Sequence, residues 1–205
     1  MTTGTTDERF GYVATDRQDF LEHVSSRIPE NSVCIEVGVY VGGFSQMILD
    51  TLNPRLLYLV DPWETGSDKN STEKHYVHLD NLPTAYSNNE MLKGIMEKFS
   101  SQIINNKVKI QVGFSYDVVD EFPDDFFDFI YIDACHLYGS IKADLEMFLP
   151  KLKTDGLMCG HDYANFGGFG VVEAVDEFII NNNLKWVATS ASSEYDQPSF
   201  ALKRS

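Results

Sequence analysis

The run Cys-Ile-Glu-Val-Gly-Val-Tyr-Val-Gly-Gly-Phe-Ser at 34–45 constrains this chain more than any other segment. An apolar stretch runs into a glycine-rich turn, and residues at helical spacing follow at once. That order reads as strand, loop, helix, the opening unit of an α/β sheet whose ligand sits where the loop meets the helix. The rest of the chain keeps the alternation. Short apolar runs predict strands at 33–37, 56–60, 108–112, 129–132 and 157–159. Helical spacing predicts helices at 44–52, 91–104, 116–122, 141–149 and 171–180. Two closing strands, 186–189 and 199–203, are joined by the short polar stretch 190–198, which suits a hairpin and makes the last strand antiparallel. The expected fold is a Rossmann-like, doubly wound, mostly parallel seven-stranded α/β sheet with its last strand antiparallel at the end. A length of 205 residues suits a single domain with a full core.

Two segments stand outside that alternation. Residues 1–20 read as a flexible lead-in, without the basic and apolar regions of a signal peptide. Residues 62–90 hold Trp63, His75, Tyr76, His78 and Tyr86 among polar residues. The segment leaves the carboxyl edge of the second strand, where ligands bind in such sheets, and is expected to be a lid or substrate wall. The loop after Tyr163, with Phe166 and Phe169 among glycines, is a second expected lid.

Charge narrows the partners. A net charge of −15 without a basic cluster repels a phosphate backbone, so nucleic acid is not expected. No apolar run reaches the length of a membrane span. Three cysteines give no disulfide framework, Cys34 and Cys159 read as small buried residues, and a reducing cytoplasm is the default location.

The glycine loop selects a ligand. A dinucleotide fingerprint G-x-G-x-x-G has its first and last glycines here as Gly38 and Gly43, but its middle position is Tyr40. That glycine lets the backbone approach a pyrophosphate, and a tyrosine obstructs it. The expected ligand carries adenosine without a diphosphate, and S-adenosylmethionine (SAM) fits. Glu36, in an otherwise apolar strand, reads either as a carboxylate facing water or as a buried acceptor for loop amides or the cofactor's amino group. Asp61 closes the second strand and reads as a ribose acceptor or a loop cap. Trp63 packs on adenine or seals the core, and Ser115 caps a helix or touches adenine.

A second group of residues carries chemistry. Asp133 and His136 follow the fourth strand, and His161 and Asp162 follow the fifth. These strand ends should converge beside the first strand. Two carboxylates and imidazoles suit a divalent metal, with Asp133, His161 and Asp162 as the expected ligands. A metal would lower the pKa of an acceptor hydroxyl and orient it. His136, with Asp133 and Asp162, forms the candidate catalytic set, since deprotonating and aligning the acceptor are most of what the protein must add.

Glu36-x-Gly38-x-x-x-Gly42 resembles motif I of the class I SAM-dependent methyltransferases. Ile-Asp-x-x-His at 132–136, then Leu-Pro-Lys-Leu-Lys at 149–153 and Gly-His-Asp-Tyr at 160–163, resembles the small metal-dependent sugar O-methyltransferases of macrolide biosynthesis. More distantly it is similar to catechol O-methyltransferase. The resemblance covers about residues 30–203. It implies methyl transfer from SAM to a sugar or phenolic hydroxyl, cofactor contacts at Glu36, Gly38, Tyr40, Gly42, Asp61, Trp63, Ser115 and Asp133, and magnesium or manganese held at Asp133, His161 and Asp162. The departures are His161 in place of an acid and His136 in place of the catechol enzymes' lysine. Such domains often pair as homodimers, though no residue pattern marks an interface. Two rivals stay open: a SAM- or small-molecule-binding module without turnover, and a nicotinamide dehydrogenase.

Overall fold

A computed structural model describes residues 3–63, 88–165, 167–193 and 196–205. The expected lid at 62–90 therefore falls, over 64–87, outside the described residues, as does Phe166. The strands are β1 (Thr5–Asp7), β2 (Gly11–Ala14), β3 (Val33–Val37), β4 (Leu56–Asp61), β5 (Val108–Val112), β6 (Phe127–Ile132), β7 (Leu152–Gly160), β8 (Leu184–Ser190) and β9 (Phe200–Arg204). The helices are α1 (Arg17–Ser25), α2 (Gly43–Thr51), α3 (Asn88–Lys98), α4 (Ser100–Ile104), α5 (Ser115–Val118), α6 (Tyr138–Phe148) and α7 (Val171–Asn181). The sheet order is β1-β2-β8-β9-β7-β6-β3-β4-β5.

The doubly wound architecture is as the sequence implies. β3, β4, β5, β6 and β7 pair in parallel. The strands β3 and β6 are buried along their whole length, which is why they are apolar apart from Glu36 and Asp128. Helices cover both faces. Phe20 and Leu21 of α1 and Phe44 and Ile48 of α2 pack on one face with Phe129 and Tyr131. Ile141 and Leu145 of α6 and Val175 and Phe178 of α7 pack on the other with Ile35 and Ile130.

Three details depart from expectation. Among the described residues the sheet has nine strands rather than seven, because part of the expected lead-in forms β1 and β2. The antiparallel β9 does not end the sheet; it lies between β7 and β8 and pairs antiparallel with both. The helix expected at 91–104 is two helices, broken at Phe99, whose ring is fully buried.

The N-terminal segment is ordered for a physical reason. β2 adds in parallel to β8, Tyr12 opposite Ala188. Asp16 caps α1 by accepting from the Asp19 amide at 2.8 Å. Asp19 in turn accepts from the amides of Thr3 (3.0 Å) and Thr15 (2.9 Å) and from the Tyr12 hydroxyl (3.0 Å). Burial works against its charge, but the amides of Thr15 and Thr3 and the Tyr12 hydroxyl outweigh it and hold the carboxyl below its ordinary range. Asp19→Ala is expected to cost about 1–3 kcal/mol, because it leaves the buried Tyr12 hydroxyl and the part-buried amides of Thr3 and Thr15 without their acceptor. A group with a depressed folded pKa contributes stability above its unfolded pKa and loses it as pH falls through the folded value. Denaturant melts of wild type and variant should therefore converge as pH is lowered into that range.

Candidate active site

The glycine loop is built by close approach. Gly38 has φ +90°, and a Cβ there would lie 2.0 Å from the carbonyl oxygen of Asp133. The Gly38 amide donates to Val60 O at 2.9 Å, and the Asp133 amide donates to Val37 O at 2.8 Å. The ends of β3, β4 and β6 are thus pinned together at the carboxyl edge. Gly42 caps α2 at φ +67°, and a Cβ there would press within 2.7 Å of the Phe99 ring. Tyr40, in the left-handed region at φ +52°, leaves its side chain largely exposed at the loop.

Asp61 and Glu36 divide the work differently from expectation. Asp61 Oδ2 accepts from the amides of Val39 (2.8 Å) and Tyr40 (2.9 Å), and Oδ1 accepts from the Trp63 amide (2.6 Å). Asp61 is the acid that shapes the loop. Glu36 touches no loop amide. It is fully buried and accepts from the Ser45 hydroxyl on α2. Burial pushes its carboxyl well above the usual range, against the opposing Ser45 hydrogen bond.

Trp63 takes the second of the two roles open to it. Its ring is 2% exposed, packs in the core and spends its N–H on Tyr40 O at 3.0 Å, so it seals the core and leaves no face for adenine. Ser115 is the first residue of α5; the cap position is Phe114, with no side-chain cap bond, so the capping role expected of Ser115 is not realised.

At the strand ends the four chemistry residues do converge, in a different grouping. His136 Nε2 lies 2.8 Å from Asp162 Oδ2, and its ring packs beside Phe169 at 4.5 Å between centroids. Asp133, His136 and Asp162 bring one ligand atom each within 4.8 Å of one another. His161, expected as a ligand together with Asp133 and Asp162, stands directly beside that trio. Its ring is 8% exposed, with Nδ1 at 3.2 Å from Asp162 and 3.6 Å from Asp133, and Nε2 at 3.1 Å from Asp196. Both ring nitrogens thus face carboxylates. Burial lowers the pKa of His161, but hydrogen bonds to Asp133, Asp162 and Asp196 outweigh it and raise it to about 11. Burial raises the Asp162 carboxyl, and hydrogen bonds from His136 and His161 outweigh that and hold it well below its usual range.

Residues that the sequence pattern did not mark complete the centre. Arg17, on the first turn of α1, reaches Asp196 through Nε (3.3 Å) and Nη2 (2.5 Å). Its Nη1 lies 3.5 Å from Asp133 Oδ2, and Nη2 touches His161 Nε2. The donor chemistry of the trio, one imidazole nitrogen and two carboxylates, fits a divalent ion, manganese better than magnesium.

In an open α/β sheet, a glycine loop beside an acid–imidazole cluster at the carboxyl edge is where a ligand-binding site is expected. The chain belongs to a family described as a methyltransferase domain, which matches residues 35–163, from the glycine loop through the His161–Asp162 pair. Membership sets the dehydrogenase rival aside. No curated protein matches the chain. Among solved structures, a protein of Corynebacterium glutamicum is similar at 14% identity and TM-score 0.61, with 94% of this chain and 82% of that one covered. An O-methyltransferase from Bacillus cereus, solved in complex with SAH, is similar at 15% identity and TM-score 0.57, covering 92% and 80%. An rRNA methylase from Streptococcus thermophilus is similar at 11% identity and TM-score 0.56, covering 91% and 93%. At these identities the likeness shows the fold. Among the described residues no helix is long and apolar enough to cross a membrane.

Proposed function

We propose that this protein transfers a methyl group from SAM to an oxygen of a small molecule, a sugar or phenolic hydroxyl, with His136 as general base. The observation that carries the reading is the 2.8 Å pairing of His136 with Asp162 beside Asp133, at the edge where the glycine loop crosses β6. With Nε2–H donating to Asp162, the His136 Nδ1 keeps its lone pair for the acceptor's proton, and the buried carboxylate fixes the ring's tautomer. The acceptor oxygen attacks the sulfonium methyl; its C–O bond forms as the C–S bond breaks, SAH leaves as a neutral thioether, and the hydroxyl proton passes to Nδ1. Most of what the protein adds is alignment and removal of that proton.

The cofactor is assigned to the cleft edge formed by Gly38, Tyr40, Gly42 and Asp133, with Glu36 buried behind the loop, Asp61 shaping it and Ser115 on its flank. Asp61 retains lone-pair capacity on Oδ1 for a ribose hydroxyl. The net charge of −15 favours a small acceptor over RNA, although an rRNA methylase shares the fold. Unpaired Cys34, Cys135 and Cys159 suit a reducing cytoplasm. A second reading rests on the trio of donors: Asp133, His136 and Asp162 would hold a divalent ion, which would supply Lewis-acid activation of the hydroxyl.

SAH release from SAM, followed across a panel of hydroxylated sugars and phenols with and without EDTA, tests the assignment. Turnover on at least one acceptor, persisting in EDTA, is the expected result. Loss of turnover in EDTA favours the second reading. SAM binding with no SAH release on any acceptor would make this a binding module.

A further inference from the structure

We propose that Arg17 sets this centre's preference among cations: its guanidinium, anchored on Asp196, takes up the Asp133 side of the acidic cluster and keeps a divalent ion from binding there tightly. The inference rests on the reading of Asp133, His136 and Asp162 as the reaction centre. Arg17 lies outside the matched family region of 35–163, as does Asp196.

The guanidinium is held on several sides. Nε and Nη2 fork onto the two carboxylate oxygens of Asp196, at 3.3 and 2.5 Å. Nη1 faces Asp133 Oδ2 at 3.5 Å. Its carbon sits 5.2 Å over the Phe44 ring, which is itself stacked on Tyr131 at 3.9 Å. The side chain is 18% exposed. A fork, an aromatic floor and low exposure make this a fixed charge rather than a mobile surface arginine. The rest of the N-terminal segment aims it: β2 is sewn to β8, Asp16 caps α1, and Asp19 ties Thr3, Tyr12 and Thr15 together around it.

The electrostatic consequence follows from position. A divalent ion on the trio needs the Asp133 carboxylate and would sit beside a guanidinium that stays protonated at any working pH. At such separations, even at the effective dielectric of a protein near its surface, one fixed positive charge changes the affinity of a doubly charged ion by more than about tenfold.

The test is manganese binding by calorimetry and electron paramagnetic resonance, on the full chain and on Arg17→Gln and Arg17→Met, with thermal melts to confirm folding. Wild type is expected to bind Mn²⁺ weakly, and both neutral variants at least about tenfold more tightly. Adding Asp162→Asn to Arg17→Gln should remove the gain. Unchanged affinity in a folded neutral variant overturns the proposal. So does stoichiometric Mn²⁺ binding by wild type that Asp162→Asn abolishes. The wild-type titration stands by itself if neither variant folds, since tight binding contradicts the proposal and weak binding agrees with it. SAM titration of the same wild-type sample is read separately: failure to bind SAM sinks the methyltransferase reading without altering the manganese comparison.

Discussion

Gly38→Ala is expected to abolish SAM binding and to cost at least about 4 kcal/mol of stability. The position combines a φ of +90° with a Cβ site 2.0 Å from Asp133 O. A backbone atom cannot turn aside as a flexible side chain can, so β3 and β6 must separate where the amide of Asp133 bonds Val37 O. The loop would then lose its register with Asp61, whose carboxylate holds the amides of Val39 and Tyr40. Gly43 is the control. It lies within the same stretch, at the start of α2, where an added Cβ meets nothing within 4 Å. Gly43→Ala should leave stability nearly unchanged. Chemical denaturation and calorimetry on the pair check both expectations, and equal tolerance of alanine at the two positions would contradict the account of the loop.

His136→Ala is expected to lower the rate of methyl transfer by about 10²–10⁴-fold, the usual contribution of a positioned base, while SAM affinity stays within about twofold of wild type. The imidazole is one-third exposed and its partner is Asp162, not the loop, so its removal should spare the cofactor. Asp162→Asn should cost a similar factor through a different route: an amide can present its NH₂ to His136 and favour the wrong tautomer. Single-turnover rates and SAM titrations on each variant separate the two effects. Parallel loss of SAM binding in His136→Ala would mean that the residue supports the cofactor rather than the proton transfer.

Local patterns carried most of the fold. β3 and β6 are buried on both faces and bounded by turns, so β3 is legible over its full length and β6 over 129–132, its first two residues being hidden by Asp128. The glycines at 38 and 42 were readable because only a positive φ and a crowded backbone call for them there. The acids and histidines at 133, 136, 161 and 162 were readable as strand-end residues. Which of them would face which was not. Asp162 adopts φ +58° just past β7, and that turn delivers its carboxylate to His136 while His161 is directed toward Asp196 and Arg17. A side-chain direction set by one left-handed residue has no signature in residue spacing. Arg17 was invisible for a related reason. It reaches the centre only because a short strand of the first residues pairs with β8, near the other end of the chain, and an exposed-looking segment gives no local hint of such pairing. Trp63 left two roles open, because an aromatic at a strand tip can pack on a ligand or seal the core; its N–H on Tyr40 O and its burial place it in the core.

Calorimetric titration of the wild-type protein with SAM, before and after EDTA treatment, bears most directly on the central claim. Stoichiometric binding that survives EDTA is the predicted result, since the proposed cofactor site draws on the loop, Asp61 and Asp133 and on no metal. No heat of binding under either condition would contradict it, and with it the assignment of the glycine loop to a methyl donor.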